Sequence, residues 1–161
     1  MTNGDDLARN KAVVRRFIDE VCIAGRNELI PELFDPEFRL HHERNRDYDR
    51  GGLDGARSWV AETRAAFPDQ QAQIDRVLAE NDRVMLHLRI TGTHRGSFYG
   101  VPATGRTVEF TATEIVRLRE GRIAEIWAVS DQLGLLQRVG AVAPAGLAAA
   151  TGGPSGGTDE R

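Results

Sequence analysis

Glu114 occupies a position where an ionisable group is costly. It lies in TVEFTATEIVRLREGRIAEIWAVSD, residues 107–131, which reads as a long strand, a tight turn at Glu120-Gly121 and a returning strand. Side chains alternate faces along a strand, so Val108, Phe110, Ala112, Glu114, Val116 and Leu118 share one face, and Arg117 and Arg119 take the other. Every member of the first face except Glu114 is apolar. A charge buried there without a partner costs several kcal/mol, so the carboxylate has to be paired, turned outward or used. A salt bridge to an arginine of the first helix or a strand bulge would settle it structurally. A polar role inside a pocket would use it chemically.

Histidines supply the other acid/base candidates. His94 ends VMLHLRITGTH, and regular alternation puts it on the face of Val84, Leu86, Leu88 and Ile90. An imidazole at the mouth of an apolar pocket titrates near neutrality and suits proton transfer. The plainer alternative is a rim histidine that satisfies backbone hydrogen bonds. If His94 and Glu114 face each other, one serves as base and the other as acid. His41 and His42 are adjacent, so a strand points one of them inward and the other to the surface. No HExxH or other ligand spacing is present, and no metal is expected. Glycines near 96–105 lack Walker spacing and a following helix, GxSxG is absent, and no serine or cysteine nucleophile has a convincing base.

The elements that must position these groups read as α+β. A first helix carries Leu7, Val13, Val14, Phe17, Ile18 and Val21 at helical spacing, with Asp5 or Asp6 as cap and Gly25 as stop. A short helix over 27–34 holds Pro31 in its first turns and ends at Asp35-Pro36. Residues 38–42 form a brief strand, and 43–52, ERNRDYDRGG, a polar loop long enough to be a rim or lid. A third helix over 53–67 brings Ala56, Trp59, Val60, Thr63 and Phe67 to one face. Strands over 71–80 and 83–94 flank a turn at Asn81-Asp82. A glycine-rich connection with Phe98 and Tyr99 leads to the hairpin, and a helix over 132–139 is capped by Asp131. Gly92 suits a bend in a curved sheet. Helices on the concave face of such a sheet leave a pocket between the layers, with Trp59, Phe67, Phe98 and Tyr99 as candidate walls. Trp127 and Glu125 face away from Ile126 and Ala128, and an exposed tryptophan beside polar groups suits a subunit interface.

Size and charge set the remaining bounds. The 161 residues make one domain over 1–140, followed by an Ala/Gly/Pro-rich stretch, 141–161, expected to be a flexible tail. A net charge of -3 gives no reason to expect nucleic acid or an anionic membrane as partner. No apolar run is long enough to span a bilayer, no signal-peptide core is visible, and Cys22 is the single cysteine. A cytoplasmic protein is the expectation.

Three segments resemble the SnoaL-like polyketide cyclase family: AAFPD at 65–69, NDRVMLHLRITGTHRGSFYGVPATGR at 81–106, and GRIAEIWAVSDQLGLLQRVG at 121–140. The most specific parts are GTHRG, PATGR and the closing E-x-W-x3-D-x2-G-L-L-Q. The resemblance implies a cone-shaped barrel of the NTF2-like kind, a homodimer, a deep hydrophobic pocket and no cofactor. In the founding cyclases it implies closure of the last ring of an anthracycline precursor by an intramolecular aldol step, with an aspartate on the last strand as acid/base. Counted from the Gly121-Arg122 turn, that aspartate falls at Ala128, its polar helpers at Ala112 and Glu114, and an asparagine near His41. Alanine cannot move a proton. The expectation is therefore a cofactor-free tailoring enzyme for a polyketide-like or polycyclic substrate. His94 and Glu114 would do the chemistry, with His41, Trp59, Phe67, Phe98, Tyr99, Phe110 and Ala128 around the ligand. Related members open epoxides, isomerise ketosteroids or hydroxylate polyketides, and a non-catalytic binding dimer is the alternative from another class.

Overall fold

Asp5 and Asp6 fall in the first turn of the opening helix and Arg15 and Arg16 in its last, charges that complement the helix dipole. In the computed structural model, which describes residues 4–42 and 50–143, this helix α1 spans Gly4–Arg16. It starts one residue before the expected caps. From Phe17 to Ile23 it widens into a π-helix, and Gly25, at φ 75°, ends it. A 3-10 turn, Asn27–Leu29, leads into α2, Ile30–Leu33.

The first strand, β1, spans Phe34–His42 and so begins earlier than the sequence suggests. Asp35-Pro36, read as a helix stop, lies inside it. The register of β1 against its neighbour shifts between Phe34 and Arg39, and that irregularity accommodates a proline that cannot donate to a ladder. Residues 43–49 of the expected loop lie outside the described residues, as does the tail from 144. Arg50–Gly51 form a two-residue strand, β2, and α3 runs Gly52–Ala66. Then come β3 (Gln71–Glu80), β4 (Arg83–Thr93), β5 (Thr107–Arg119), β6 (Arg122–Ser130) and α4 (Gln132–Arg138).

Six strands form one curved, unclosed sheet in the order β2-β1-β6-β5-β4-β3, antiparallel except for the β1–β6 pair. The β5–β6 turn places both Glu120 and Gly121 at positive φ, as a two-residue hairpin requires. Bulges lie at Asp75 and Ala124, where the registers skip a residue. Gly92 is no bulge. A Cβ there would sit 3.1 Å from the Phe67 Cβ, so glycine allows β4 to pass close under the end of α3.

Helices cover one face of the sheet. Val14, Phe17, Val21, Phe38, Val60, Leu86, Val116 and Ile126 form the main core, and Phe67, Phe110, Leu135 and Val139 a second one beneath α4. Among the described residues no helix is long and apolar enough to cross a membrane.

Candidate functional site

Strand pairing places Glu114 of β5 beside Ala128 of β6, and Ala128 beside His42 of β1. The three form a row across adjacent strands on the helix-covered face. All line a cavity of about 430 Å³ between sheet and helices. Its walls are mostly apolar, including Ile18, Trp59, Leu88, Ile90, Phe110 and Leu135, with Phe98 and Tyr99 contributed by the connection after β4.

Glu114 is 6% exposed, and its Oε2 has no hydrogen-bond partner. The ladders run through it without a shift, so no bulge turns it outward. Burial alone pushes its carboxyl up to about 7. An acid of that strength is poised to give or take a proton near neutral pH. Cys22 lines the same cavity, and burial, aided by the Glu114 charge, raises its thiol further from ionisation. A protonated thiol is a poor nucleophile.

The π-helical turn opens the helix side of this site, because Ile18, Cys22 and Ile23 reach the cavity from it. Its end is pinned from α3 and the segment after it. Arg64 donates to the carbonyls of Cys22 and Ile23 at 3.0 and 2.7 Å, and Gln70 Nε2 donates to the Cys22 carbonyl at 2.8 Å. These donors replace bonds that a helix end leaves open.

His94 is not in the cavity lining. Thr93 pairs with Thr107, and His94 lies eight residues beyond Leu86, the partner of Glu114. At roughly 3.3 Å per residue that is about 25 Å of strand, so the expected facing pair does not exist. His94 is fully buried. Its Nδ1 lies 3.0 Å from Thr104 Oγ1, its backbone N–H donates to Arg106, and its ring packs 5.5 Å from Phe67. It joins the β4–β5 connection to the end of α3.

His41 also differs from expectation. It lies on the other face of the sheet, stacked 5.1 Å from Trp127, while its neighbour His42 faces the cavity. Phe38 and Leu40 are fully buried, so period-two alternation from them already points His42 inward. Phe67 stands behind the wall, touching Phe98, Phe110 and His94. The cavity does take up Trp59, Phe98, Tyr99, Phe110, Glu114 and Ala128. Asp131 is a helix cap, accepting from the Gly134 N–H at 2.9 Å and from Arg138 at 3.1 Å. Among the described residues no three His, Cys, Asp or Glu side chains are grouped to hold a metal ion.

The family model for SnoaL-like polyketide cyclases matches residues 12–139. A candidate SnoaL-like polyketide cyclase from Jannaschia sp. CCS1 superimposes with a TM-score of 0.80 at 26% identity, covering 88% of this chain and 99% of its own. AclR from Streptomyces galilaeus, a candidate hydroxylase, gives 0.75 at 27% over 89% of this chain and 88% of its own. IdmH from Streptomyces antibioticus, a candidate polyketide cyclase, gives 0.69 at 29% over 81% and 98%. No curated protein matches the chain.

Proposed function

Because this chain belongs to the SnoaL-like polyketide cyclase family, we propose that it transfers protons with Glu114 on an apolar, polyketide-like or polycyclic small molecule held in the cavity, without a cofactor. What supports this most directly is the Glu114 carboxyl, buried, lacking a partner at Oε2 and facing an apolar cavity. As carboxylate it would accept a proton from a carbon beside a carbonyl, or from a hydroxyl. The resulting nucleophile would close a ring on a second carbonyl or open an epoxide of the same molecule, and the alkoxide so formed would take the proton back from Glu114. Holding one reactive conformer supplies much of the acceleration in such an intramolecular step.

The test is turnover of ring-closure and epoxide substrates by wild type and Glu114→Gln. The variant should lose roughly 100-fold or more, and the wild-type rate should rise with pH through about 7 as the carboxylate forms. Equal turnover by the variant would remove Glu114 from the mechanism. A second reading, binding without catalysis, draws on Ala128, since a methyl group stands where the resemblance places the cyclase acid. Tight binding of ring compounds with no turnover would favour it.

A homodimer belongs to the same proposal. Leu78, Met85, Ile115, Trp127 and His41 pair in one continuous row across five strands on the face away from the helices. Leu78 is 62% and Ile115 41% exposed. Beside the row Arg117 and Glu125 pair at 3.1 Å, and opposite charges so placed suit a two-fold partner carrying the same patch.

A further inference from the structure

The connection between β4 and β5 contains a turn whose sequence is at odds with its backbone. Phe98 and Val101 exchange both backbone hydrogen bonds, at 3.0 and 2.9 Å. The two residues between them, Tyr99 at φ 55° and Gly100 at φ 76°, are both left-handed. That is the pattern of a type I′ turn, whose first central position favours asparagine, aspartate or glycine. A tyrosine there is sterically disfavoured, because its Cβ crowds the following carbonyl. The Glu120-Gly121 hairpin has the same pair of φ values, so what sets this turn apart is the contacts that hold it. Here the Phe98 ring anchors on Phe67 at 5.1 Å and the Tyr99 ring lies 4.1 Å from Phe98. Thus braced, Tyr99 lines the cavity and its hydroxyl comes within 3.5 Å of His42 Nε2.

We propose that the Tyr99 hydroxyl and the His42 imidazole form a second polar station in the cavity, one that binds an oxygen of a ligand whose other polar end meets Glu114. This rests on the reading of Glu114 above and adds the ligand's shape to it. Glu114, Ala128 and His42 are consecutive partners across three strands. Strands lie about 4.8 Å apart, so the Glu114 and His42 Cα atoms are separated by roughly 10 Å. Between them Ala128 presents a methyl group, on which a flat ring body can rest.

The class that fits is a fused ring system with a hydroxyl or carbonyl oxygen at each end. With Nε2 protonated, the imidazole donates to the phenol oxygen, and the phenol O–H is the donor offered to the ligand. Such a station can bind a carbonyl or a phenol, and it strengthens on an oxygen that gains charge. No carbon–oxygen or carbon–carbon bond needs to change for this binding, so it can be measured apart from turnover.

The experiment is titration of the protein with 2-naphthol and 2,6-dihydroxynaphthalene, which differ by one terminal oxygen. Wild type should bind the diol about 10-fold more tightly, the worth of one further well-made hydrogen bond. Tyr99→Phe, which keeps the ring stack, and His42→Ala should each bring the diol down to the affinity of 2-naphthol. Binding of 2-naphthol itself should stay within about twofold. A Tyr99→Phe protein with unchanged melting temperature and lost preference excludes a collapsed turn as the cause. Retention of the preference by both variants would overturn the station, as would equal affinities in wild type. In either case the first reading is decided separately, by turnover of wild type against Glu114→Gln. If neither compound bound wild type, the station would fall, while the reading of Glu114 would still be decided by turnover in Glu114→Gln.

Discussion

Glu114 makes stability depend on pH in a direction opposite to most carboxylates. Its ordinary value is 4.5, and burial holds it at about 7 in the native state. Between those values the unfolded chain has released the proton and the native chain keeps it. Stability therefore falls as pH rises through that window and levels off above 7. At about 1.4 kcal/mol per pH unit the total is on the order of 3 kcal/mol. In Glu114→Gln the dependence should vanish. Urea unfolding from pH 4.5 to 8 should show the variant gaining on wild type by up to about 3 kcal/mol, with no further gain above 7. A constant difference across the range would mean that the native carboxylate is solvated or paired. Asp35, Asp69 and Asp131 act in a separate window. Hydrogen bonds from Arg119, from Thr93 and from the Gly134 N–H hold them below 3.8. What they contribute is present above the unfolded value and is lost as pH falls through the lowered ones, in more acid solution than the Glu114 window.

At the scale of elements, the motifs that carry the family resemblance build the frame of the site. Asp69, of AAFPD, accepts from the Thr93 N–H and hydroxyl, both at 2.7 Å, and so joins the turn after α3 to the end of β4. His94 of GTHRG bonds Thr104 of PATGR, and the backbone N–H groups of Arg95 and Gly96 donate to the Ala66 carbonyl. A Cβ on Gly96 would overlap the Ala65 carbonyl oxygen. Gly96→Ala should thus cost about 1–3 kcal/mol in chemical denaturation, because a backbone atom has to move. His94→Ala should cost roughly 2–4 kcal/mol, leaving a cavity beside Phe67, yet the folded variant should still bind 2-naphthol. Loss of ligand with intact stability would restore His94 to the site. These spacings read as chemistry in the sequence because a histidine beside glycines can serve catalysis or close packing, and one chain does not distinguish them.

At the scale of the molecule, the two faces of the curved sheet differ. One carries the cavity row, and the other carries the row from Leu78 to His41, exposed at Leu78 and Ile115 and half-buried elsewhere. Ile115→Glu and Leu78→Glu place charges in the middle and at one end of the outer row. Both should convert the proposed dimer to monomer in analytical ultracentrifugation while leaving the thermal unfolding of the monomer unit intact, since neither side chain is buried in the single chain. A wild-type protein that sediments as a monomer at every concentration would remove the dimer.

The sequence by itself was enough for whatever depends on neighbours along the chain. Alternation from Val108 to Leu118 put Glu114 on a buried face, the Glu120-Gly121 pair marked the hairpin, and Asp131 three residues before Gly134 marked a cap. Only tertiary structure decided which of these residues meet. The distance from His94 to Glu114 is set by the β4–β5 register. The inward turn of His42 beside Ala128 is set by a parallel pairing between β1 and β6, strands far apart in the chain. Register comes from packing of whole faces against helices and from bulges at Asp75 and Ala124, none of which a local pattern encodes. The strained turn at Tyr99 lay hidden for the same reason. A left-handed tyrosine contradicts local preference, and the contacts that brace its turn come from Phe67, just past α3, and from His42 of β1.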